Sequence, residues 1–469
     1  MSPRPITPEE TAHVDELVAR GRAALQAFEG ATQEQVDRLC RAVAWAVANE
    51  KTFTRLAHMG VEESGIGDPE SRVGKRFKVM GILRDVLRQK SIGVIEELPE
   101  KGIVKYGKPV GLIASLVPTT NPELTPPGVG IFAIKCRDAV IFSSHPRSKN
   151  TTRETVEIMR RALAREGAPI DLLQCVERPS IPAAQYLMTR VDMVQATGGR
   201  DMVKAAYASG TPAYGVGAGN STMVIDETAD VAEAARNTRI SKMSDFGSGC
   251  SADGNLVVDA GIYEALRDRL VAEGGHLATA EEAAKLRAIL WDDEGHRTPD
   301  TIAISAQKLA ERAGFEVAPD RRFFIVEQTD IGRHSPFSSE KLGVVLSLFR
   351  YSGFDEALEM VRAIYEVGGK GHSCGIYSFN DDHIDRLARV APVSRIMVRQ
   401  PQSKANAGAF NNGMPMTSSL GCGTWGGNIT SENIHLKHYM NTTWVSRPIP
   451  EDRPSEQELF GEFYGMPAD

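Results

Sequence analysis

Gly111–Val117 (GLIASLV) and, after a helix-like stretch, Ala139–Ser143 (AVIFS) are the segments that decide the fold of this chain. Each is an unbroken apolar run rather than an alternating one, as a strand buried on both faces requires. The pattern repeats outward: Thr151–Arg165 is amphipathic, Asp192–Thr197 strand-like, Asp201–Ser209 helical, and Ser221–Asp226 a further strand. This βαβα alternation predicts a mostly parallel sheet covered on both faces, with ligands at the carboxyl ends of its strands. A second α/β series follows residue 250. Its strands read as Asn255–Asp259, Arg322–Val326, Gly343–Phe349, Gly375–Phe379 and Arg395–Arg399, separated by helices near Ile262–Glu273, Ser305–Ala313 and Phe354–Tyr365.

The flanks are simpler. Thr7-Pro8-Glu9-Glu10 is a capping box with proline at the first helical position. Thr32–Gln35 opens a second helix in which Val36, Leu39, Cys40, Val43 and Ala44 recur at helical spacing. Both helices read as packing elements. Gln402–Gly427, rich in Gly, Asn, Ser and Thr, reads as ordered loop lining a site, and the residues from about Pro448 as an exposed tail.

With 469 residues the chain is long enough for two or three domains. A net charge of −7 and the lack of a basic run argue against a nucleic-acid role. No apolar stretch reaches membrane-spanning length, and Met1–Ile6 has no apolar signal core. The six cysteines are scattered without metal-ligand spacing or a disulfide framework, which points to free thiols in the cytoplasm. The ten histidines do not cluster, so no metal is expected.

Chemistry concentrates at Cys250, in Asp245-Phe246-Gly247-Ser248-Gly249-Cys250-Ser251-Ala252-Asp253-Gly254. A thiolate is a good nucleophile, small neighbours leave its sulfur open, and glycine lets backbone N–H groups approach a reacting oxygen. The bland alternative is a small cysteine packed in a turn. Asn121 follows the Gly111–Val117 strand, where an amide could donate N–H to an oxyanion or merely bond its own turn. Ser144–Lys149 lies between a strand and a helix, a placement suited to the adenosine ribose of a dinucleotide. Arg147, Ser148 and Lys149 there could hold a 2′-phosphate, and no acidic residue is present to claim a free 2′-hydroxyl, which favours NADP over NAD. Thr197-Gly198-Gly199 precedes a helix and offers bare N–H groups to a pyrophosphate.

Six motifs in order identify a resemblance: Pro118–Pro122, Ala196–Gly199, Pro212–Ser221, the Cys250 loop, Gly371–Gly375 and Leu420–Gly426. Over roughly Gln33 to His438 the chain resembles the CoA-acylating branch of the aldehyde dehydrogenase superfamily. The succinate-semialdehyde enzymes look nearest, followed by the acetaldehyde, propionaldehyde and sulfoacetaldehyde enzymes. The resemblance implies an aldehyde dehydrogenase-like α/β fold: two doubly wound parallel-sheet domains and a small β oligomerisation element. It divides the chain into an NAD(P)-binding domain over 1–242, with 101–110 contributing to oligomerisation, a catalytic cysteine domain over 243–430, and an oligomerisation segment with a tail over 431–469. Cys250 would be the nucleophile, with Asn121 and the Cys250 N–H as oxyanion donors. Thr119, His145, Arg147, Ser148, Lys149, Thr197, Gly198, Gly199 and Gly217 would border the cofactor, and Glu340 would bond the nicotinamide ribose. His372 borders the active site in similar enzymes but reads as structural, like Cys374 and Cys422.

Hydrolytic members carry a water-activating glutamate in the segment matching Tyr214–Ser221. Here no acid stands there, and Val216 aligns with it. Without that base water attacks a thioester slowly, whereas a thiol needs less help. The expected reaction therefore gives acyl-CoA from an aldehyde, CoA and NAD(P)⁺. The alternatives are hydrolysis to a free acid with Asp245 or Asp253 as base, acyl-phosphate reduction, or an inactive scaffold. Thr120, Ser248, Ser251 and the Asn406–Ser418 loop would form the substrate pocket. Arg239, Lys242 or Lys404 would meet an anionic tail such as that of succinate semialdehyde or sulfoacetaldehyde. A homodimer or homotetramer joined through Lys101–Lys108 and the region after Asn433 is expected.

Overall fold

The computed structural model describes residues 4–467; residues 1–3 and 468–469, at the two ends of the expected domains, lie outside it. The chain opens with helices Pro8–Phe28, Gln33–Ala48 and Glu50–Ser64, of which the first two begin in the anticipated capping boxes at Thr7 and Thr32. Val14, Leu17, Val36, Leu39, Val43, Phe53 and Leu56 face inward and join the core of the sheet that follows. A hairpin comes next, β1 (Gly93–Leu98) and β2 (Ile103–Pro109).

β3 (Leu112–Val117), β4 (Ala139–Ser144), β5 (Leu173–Cys175), β6 (Met193–Thr197) and β7 (Ala213–Val216) form a five-stranded sheet in the order β5-β4-β3-β6-β7. Every pairing is parallel. The order reverses direction between β3 and β6, and the crevice at such a switch point is where ligands bind. β3 and β4 are buried at every position, which is why they lack an alternating pattern.

β8 (Thr222–Ile225), β9 (Asn255–Asp259), β10 (Gly275–Leu277), β11 (Phe323–Gln328), β12 (Val345–Tyr351), β13 (Cys374–Tyr377) and β14 (Ile396–Val398) make a second parallel sheet, ordered β10-β11-β12-β9-β8-β13-β14. Separate apolar clusters cover its two faces, one around Leu256, Phe324 and Leu346 and one around Val257, Phe349 and Tyr365. The chain passes from one sheet to the next between Val216 and Thr222, upstream of the division at 242 expected from the sequence. A strand's length and apolarity do not say which neighbour it pairs with, and β8 pairs with β9 and β13.

β15 (Met440–Ser446) returns to pair antiparallel with β2 of the β1–β2 hairpin, so that residues 93–98, 103–109 and 440–446 build one three-stranded sheet. Tyr439, just before β15, stacks on Phe132 of helix Thr125–Cys136 with ring centroids 5.2 Å apart, and both rings are buried. That contact ties the returning segment to the first core. No helix among the described residues is long and apolar enough to cross a membrane. Phe132→Ala should cost about 3–5 kcal/mol of unfolding free energy, read from the midpoint of a denaturant titration. A change under about 1 kcal/mol would show that the segment is held without this stack.

Candidate active site

The carboxyl ends of the first sheet point at the amino ends of the second. Thr119–Asn121 follow β3, His145–Arg147 follow β4, Thr197–Gly199 follow β6 and Gly217 follows β7; from the other side Cys250 precedes β9, Glu340 precedes β12 and His372 precedes β13. Between them lies a cleft of about 770 Å³, lined by all of these residues and by Val216, Ser248 and Ser251. The cleft thus lies at the carboxyl ends of the first sheet, whereas Cys250 enters it from an amino end of the second.

Of the residues expected at the site, two fall elsewhere. Ser148 is fully buried and its hydroxyl bonds the His145 carbonyl at 3.4 Å. Lys149 is exposed at the start of helix Lys149–Arg165, off the cleft. Arg147 stays at the cleft, donating to the Ser64 carbonyl at 2.6 Å. An acid also reaches this corner from another helix: Glu63 accepts from the Asn150 and Thr151 N–H groups at 2.8 Å. Of the expected 2′-phosphate cluster only Arg147 therefore remains at the cleft, beside His145. Of the cations considered for substrate, Arg239 is paired with Glu273 at 2.8 Å and Lys242 is buried with Nζ on the Asp253 carbonyl at 2.8 Å. Neither lines the cleft, while Lys404 does, joined by Lys75 and Lys78.

The Cys250 turn is held from behind. Asp245, Phe246 and Gly247 are all left-handed, with φ of 53°, 48° and 68°. For Asp and Phe that conformation costs roughly 1–2 kcal/mol each, and burial of the Asp245 carboxylate among donors offsets it. Oδ1 accepts from Asp68 N–H at 2.8 Å and Arg72 Nε at 3.0 Å; Oδ2 accepts from Arg72 Nη2 at 3.0 Å, Lys75 Nζ at 2.8 Å and Ser248 Oγ at 2.6 Å. Burial alone would raise this carboxyl, but Lys75 and Arg72 outweigh it and hold it down to about 2. On the cleft side Gly219 has no room for a side chain, since a Cβ would fall inside the van der Waals radius of the Cys250 carbonyl oxygen. A Cβ on Gly371, at φ 81°, would collide in the same way with the Cys422 carbonyl. These glycines account for two of the motifs as close backbone packing, and Cys374 and Cys422 are buried beside them.

His372 is the main addition to the sequence reading. Its Nε2 lies 3.0 Å from Cys250 Sγ, and its Nδ1 lies 2.8 Å from Ser373 Oγ, which accepts from Asn406 Nδ2 at 2.9 Å. The one available signal was its setting: like Cys250, it is a reactive side chain bracketed by small residues ahead of a strand. Burial pushes the Cys250 thiol up to about 12 and the His372 imidazole down to about 3, so the pair is neutral. Among the described residues the Cys250 N–H meets no acceptor, which leaves it free for an oxyanion. Glu340 accepts from Gly219 N–H at 3.0 Å, and burial raises its carboxyl to about 7. Asp253 is raised to about 7 by burial but bonds Gln402 at 2.8 Å and does not line the cleft. Gly199 caps helix Arg200–Ala208 with no side-chain hydrogen bond, so the first N–H groups of that helix have no side-chain acceptor at the cap. Two carboxylate–histidine groups, Asp226/Glu227/His383 and Asp292/Glu294/His296, also come together, and neither lines the cleft.

A free cysteine on a cleft between two parallel-sheet units defines a class of protein, and the aldehyde dehydrogenase family model matches residues 6–438: the chain belongs to that family. Within it, the chain stands on the acylating branch. It is 43% identical over 451 residues to a sulfoacetaldehyde dehydrogenase of Acholeplasma sp, covering 95% of this chain and 93% of the relative. It is 37% identical to the acetylating succinate-semialdehyde dehydrogenase of Clostridium kluyveri, covering 96% and 99%. Its fold matches the crystal structure of an acetylating aldehyde dehydrogenase from Geobacillus thermoglucosidasius with a TM-score of 0.91 at 33% identity, covering 95% and 99%. The sulfoacetaldehyde relative thus stands nearer than the succinate-semialdehyde one, the reverse of the order read from the motifs.

Two outcomes follow. A neutral Cys250–His372 pair requires alkylation of Cys250 by iodoacetamide to rise about tenfold per pH unit through pH 9 without a plateau; a plateau below pH 8 would mean a thiolate–imidazolium pair instead. Arg72→Ala strands a buried carboxylate and should lower unfolding free energy by about 3–5 kcal/mol, measured by calorimetry; a variant as stable as the parent would remove Asp245 from its supporting role.

Proposed function

We propose that this enzyme converts a short anionic aldehyde, sulfoacetaldehyde before succinate semialdehyde, with CoA and NAD(P)⁺ into the acyl-CoA and NAD(P)H plus a proton. The observation that carries the thiolysis is the cleft wall opposite Cys250, where Val216 stands and residues 213–221 contribute no acid. Of the other acids, Asp245 is held down to about 2 by Lys75 and Arg72, Asp253 is turned into the protein, and Glu340, though on the cleft, is engaged by the Gly219 N–H at 3.0 Å. The anionic substrate is supported by Lys404 on the cleft and by the similarity to a sulfoacetaldehyde dehydrogenase.

In this reading Cys250 Sγ adds to the aldehyde carbon, passing its proton to His372 or to water, and Asn121 with the Cys250 N–H holds the oxyanion. A bound nicotinamide supplies the hydride acceptor. Collapse of the adduct leaves a thioester on Cys250, which the CoA thiol cleaves, regenerating Cys250. The N-terminus of helix Arg200–Ala208, with Thr119, Gly217 and Glu340, would hold the dinucleotide, and Thr120, Ser248 and Ser251 the aldehyde. The first sheet unit would be the dinucleotide domain, the second the nucleophile domain, and β1-β2-β15 the element that joins copies into a homodimer or homotetramer. Arg147 supports NADP, and Glu63 nearby makes NAD the close second.

The test is reduced-cofactor formation from sulfoacetaldehyde, succinate semialdehyde, acetaldehyde and propionaldehyde, each with and without CoA. Turnover beyond one equivalent per Cys250 should require CoA and be fastest with sulfoacetaldehyde. Equal rates without CoA would overturn thiolysis, and a clear preference for acetaldehyde would overturn the anionic substrate.

A further inference from the structure

Lys75 lies on the short 3-10 turn Val73–Lys75 and is mostly buried. Its ammonium has three partners at hydrogen-bonding distance, each 2.8 Å away: the Thr120 carbonyl, Asp245 Oδ2 and the side-chain oxygen of Asn121. An ammonium carries only donors, so the atom of Asn121 that faces it is the acceptor Oδ1. The amide is planar, so its NH₂ is turned the other way, with Nδ2 only 3.4 Å from Thr120 Oγ1. Asn121 and Thr120 both line the cleft with Cys250. The two acceptors beside Lys75 are fixed independently of it. Thr120 O belongs to the backbone turn after β3, and Asp245 is clamped by Arg72.

We propose that Lys75 is a positioning residue that selects the catalytic face of Asn121: by occupying Oδ1 it keeps the NH₂ turned to the cleft, and it polarises that amide toward a stronger donor. The proposal rests on the reading of Asn121 as an oxyanion donor. Without Lys75, the Thr120 carbonyl loses that donor and Asp245 Oδ2 keeps only Arg72 and Ser248, so the acceptors on that side draw the NH₂ away from the cleft and present Oδ1 to the developing negative charge. The substitution then does more than remove an anchor, because it favours the wrong orientation. Removing one oxyanion donor typically lowers turnover by about 10²–10³, and a mis-set donor should approach the lower end of that range.

The experiment is a double-mutant cycle on the full-length enzyme with Lys75→Met, Asn121→Ala and the double variant, followed by single-turnover formation of reduced cofactor. Cys250 alkylation is measured in parallel to show that the nucleophile loop is intact. Lys75→Met should slow the oxidation half-reaction about tenfold to a hundredfold, leave the KM for CoA within about twofold and leave alkylation unchanged. In the Asn121→Ala background the same substitution should have less than about a twofold effect, because there is no amide left to orient. Full additivity of the two losses, or a Lys75→Met loss under threefold, overturns the proposal while leaving Asn121 its role. Unimpaired Asn121→Ala overturns the reading of Asn121 itself. If Lys75→Met does not fold, Lys75→Gln replaces it, with the same additive or non-additive outcome deciding.

Discussion

The buried carboxylate of Asp245 is the constraint on which the site depends. It sits on the turn that carries Cys250, yet two of its partners, Arg72 and Lys75, come from more than 165 residues earlier, on the helical segment ahead of the first sheet. Five donors converge on two oxygens. The arrangement is stable because the Arg72 fork matches the carboxylate and the remaining lone pairs are filled, which is what a buried ion pair needs to offset its desolvation. A left-handed Asp–Phe pair is unfavourable in isolation, so the turn can exist only where this network over-determines it. The same carboxylate orders Ser248 on one side and Lys75 on the other, and through Lys75 it reaches Asn121. Nucleophile loop and candidate oxyanion donor are thus referenced to one atom group, although they belong to different sheets.

The opposed sheets explain why the cleft has two chemistries. Carboxyl ends of parallel strands lead into helix N-termini, which supply positive N–H groups, and β6 does so at Gly199. Amino ends are entered by loops from helix C-termini, and these bring Cys250, Glu340 and His372. A single doubly wound sheet would offer the first set only. Setting the second sheet with its amino ends toward the first brings Cys250 to the cleft without disturbing the crevice at the switch point of the first sheet. Gly219, just after β7, is a place where the two sets approach so closely that backbone touches backbone.

Much of this was legible in the chain, for a physical reason that also marks the limit. Strands such as β3 and β4 announce themselves because burial on both faces demands unbroken apolar runs, and the capping boxes at Thr7 and Thr32 are local hydrogen-bond patterns. Most of the expected site residues line one cleft because each lies beside a strand end. Strand partnership was not legible: β8 reads as the end of one series and pairs in the other. Short elements with little periodicity, such as β7 and β10, left no clear trace. The Ser148 error has the same root, since a hydroxyl one residue past an exposed arginine can point inward, and sequence does not say which. Arg72 and Lys75 carry no local pattern, and His372 only its setting of small residues. The partners cited for them are 46 to 173 residues away, and only the packed fold brings them together.

The neutral state of Cys250 bears on why such a site favours one acceptor over another. Burial raises its thiol to about 12, so the resting enzyme disfavours the thiolate at neutral pH. The barrier to forming the thiolate is largely the desolvation of charge in a tight pocket, and His372, lowered to about 3, gives little relief because an imidazolium there is equally penalised. Whatever enters the cleft and carries positive charge, or offers donors to sulfur, shifts that balance, so nucleophilicity becomes coupled to occupancy. The same low polarity acts after acylation. A water molecule attacking the thioester would need a base poised to take its proton, and Val216 supplies none, while Glu340 is engaged with the Gly219 N–H. A thiol brings its own readily ionised proton and a more polarizable nucleophile, so on the proposed mechanism the same wall would favour sulfur over water for the second half of the reaction.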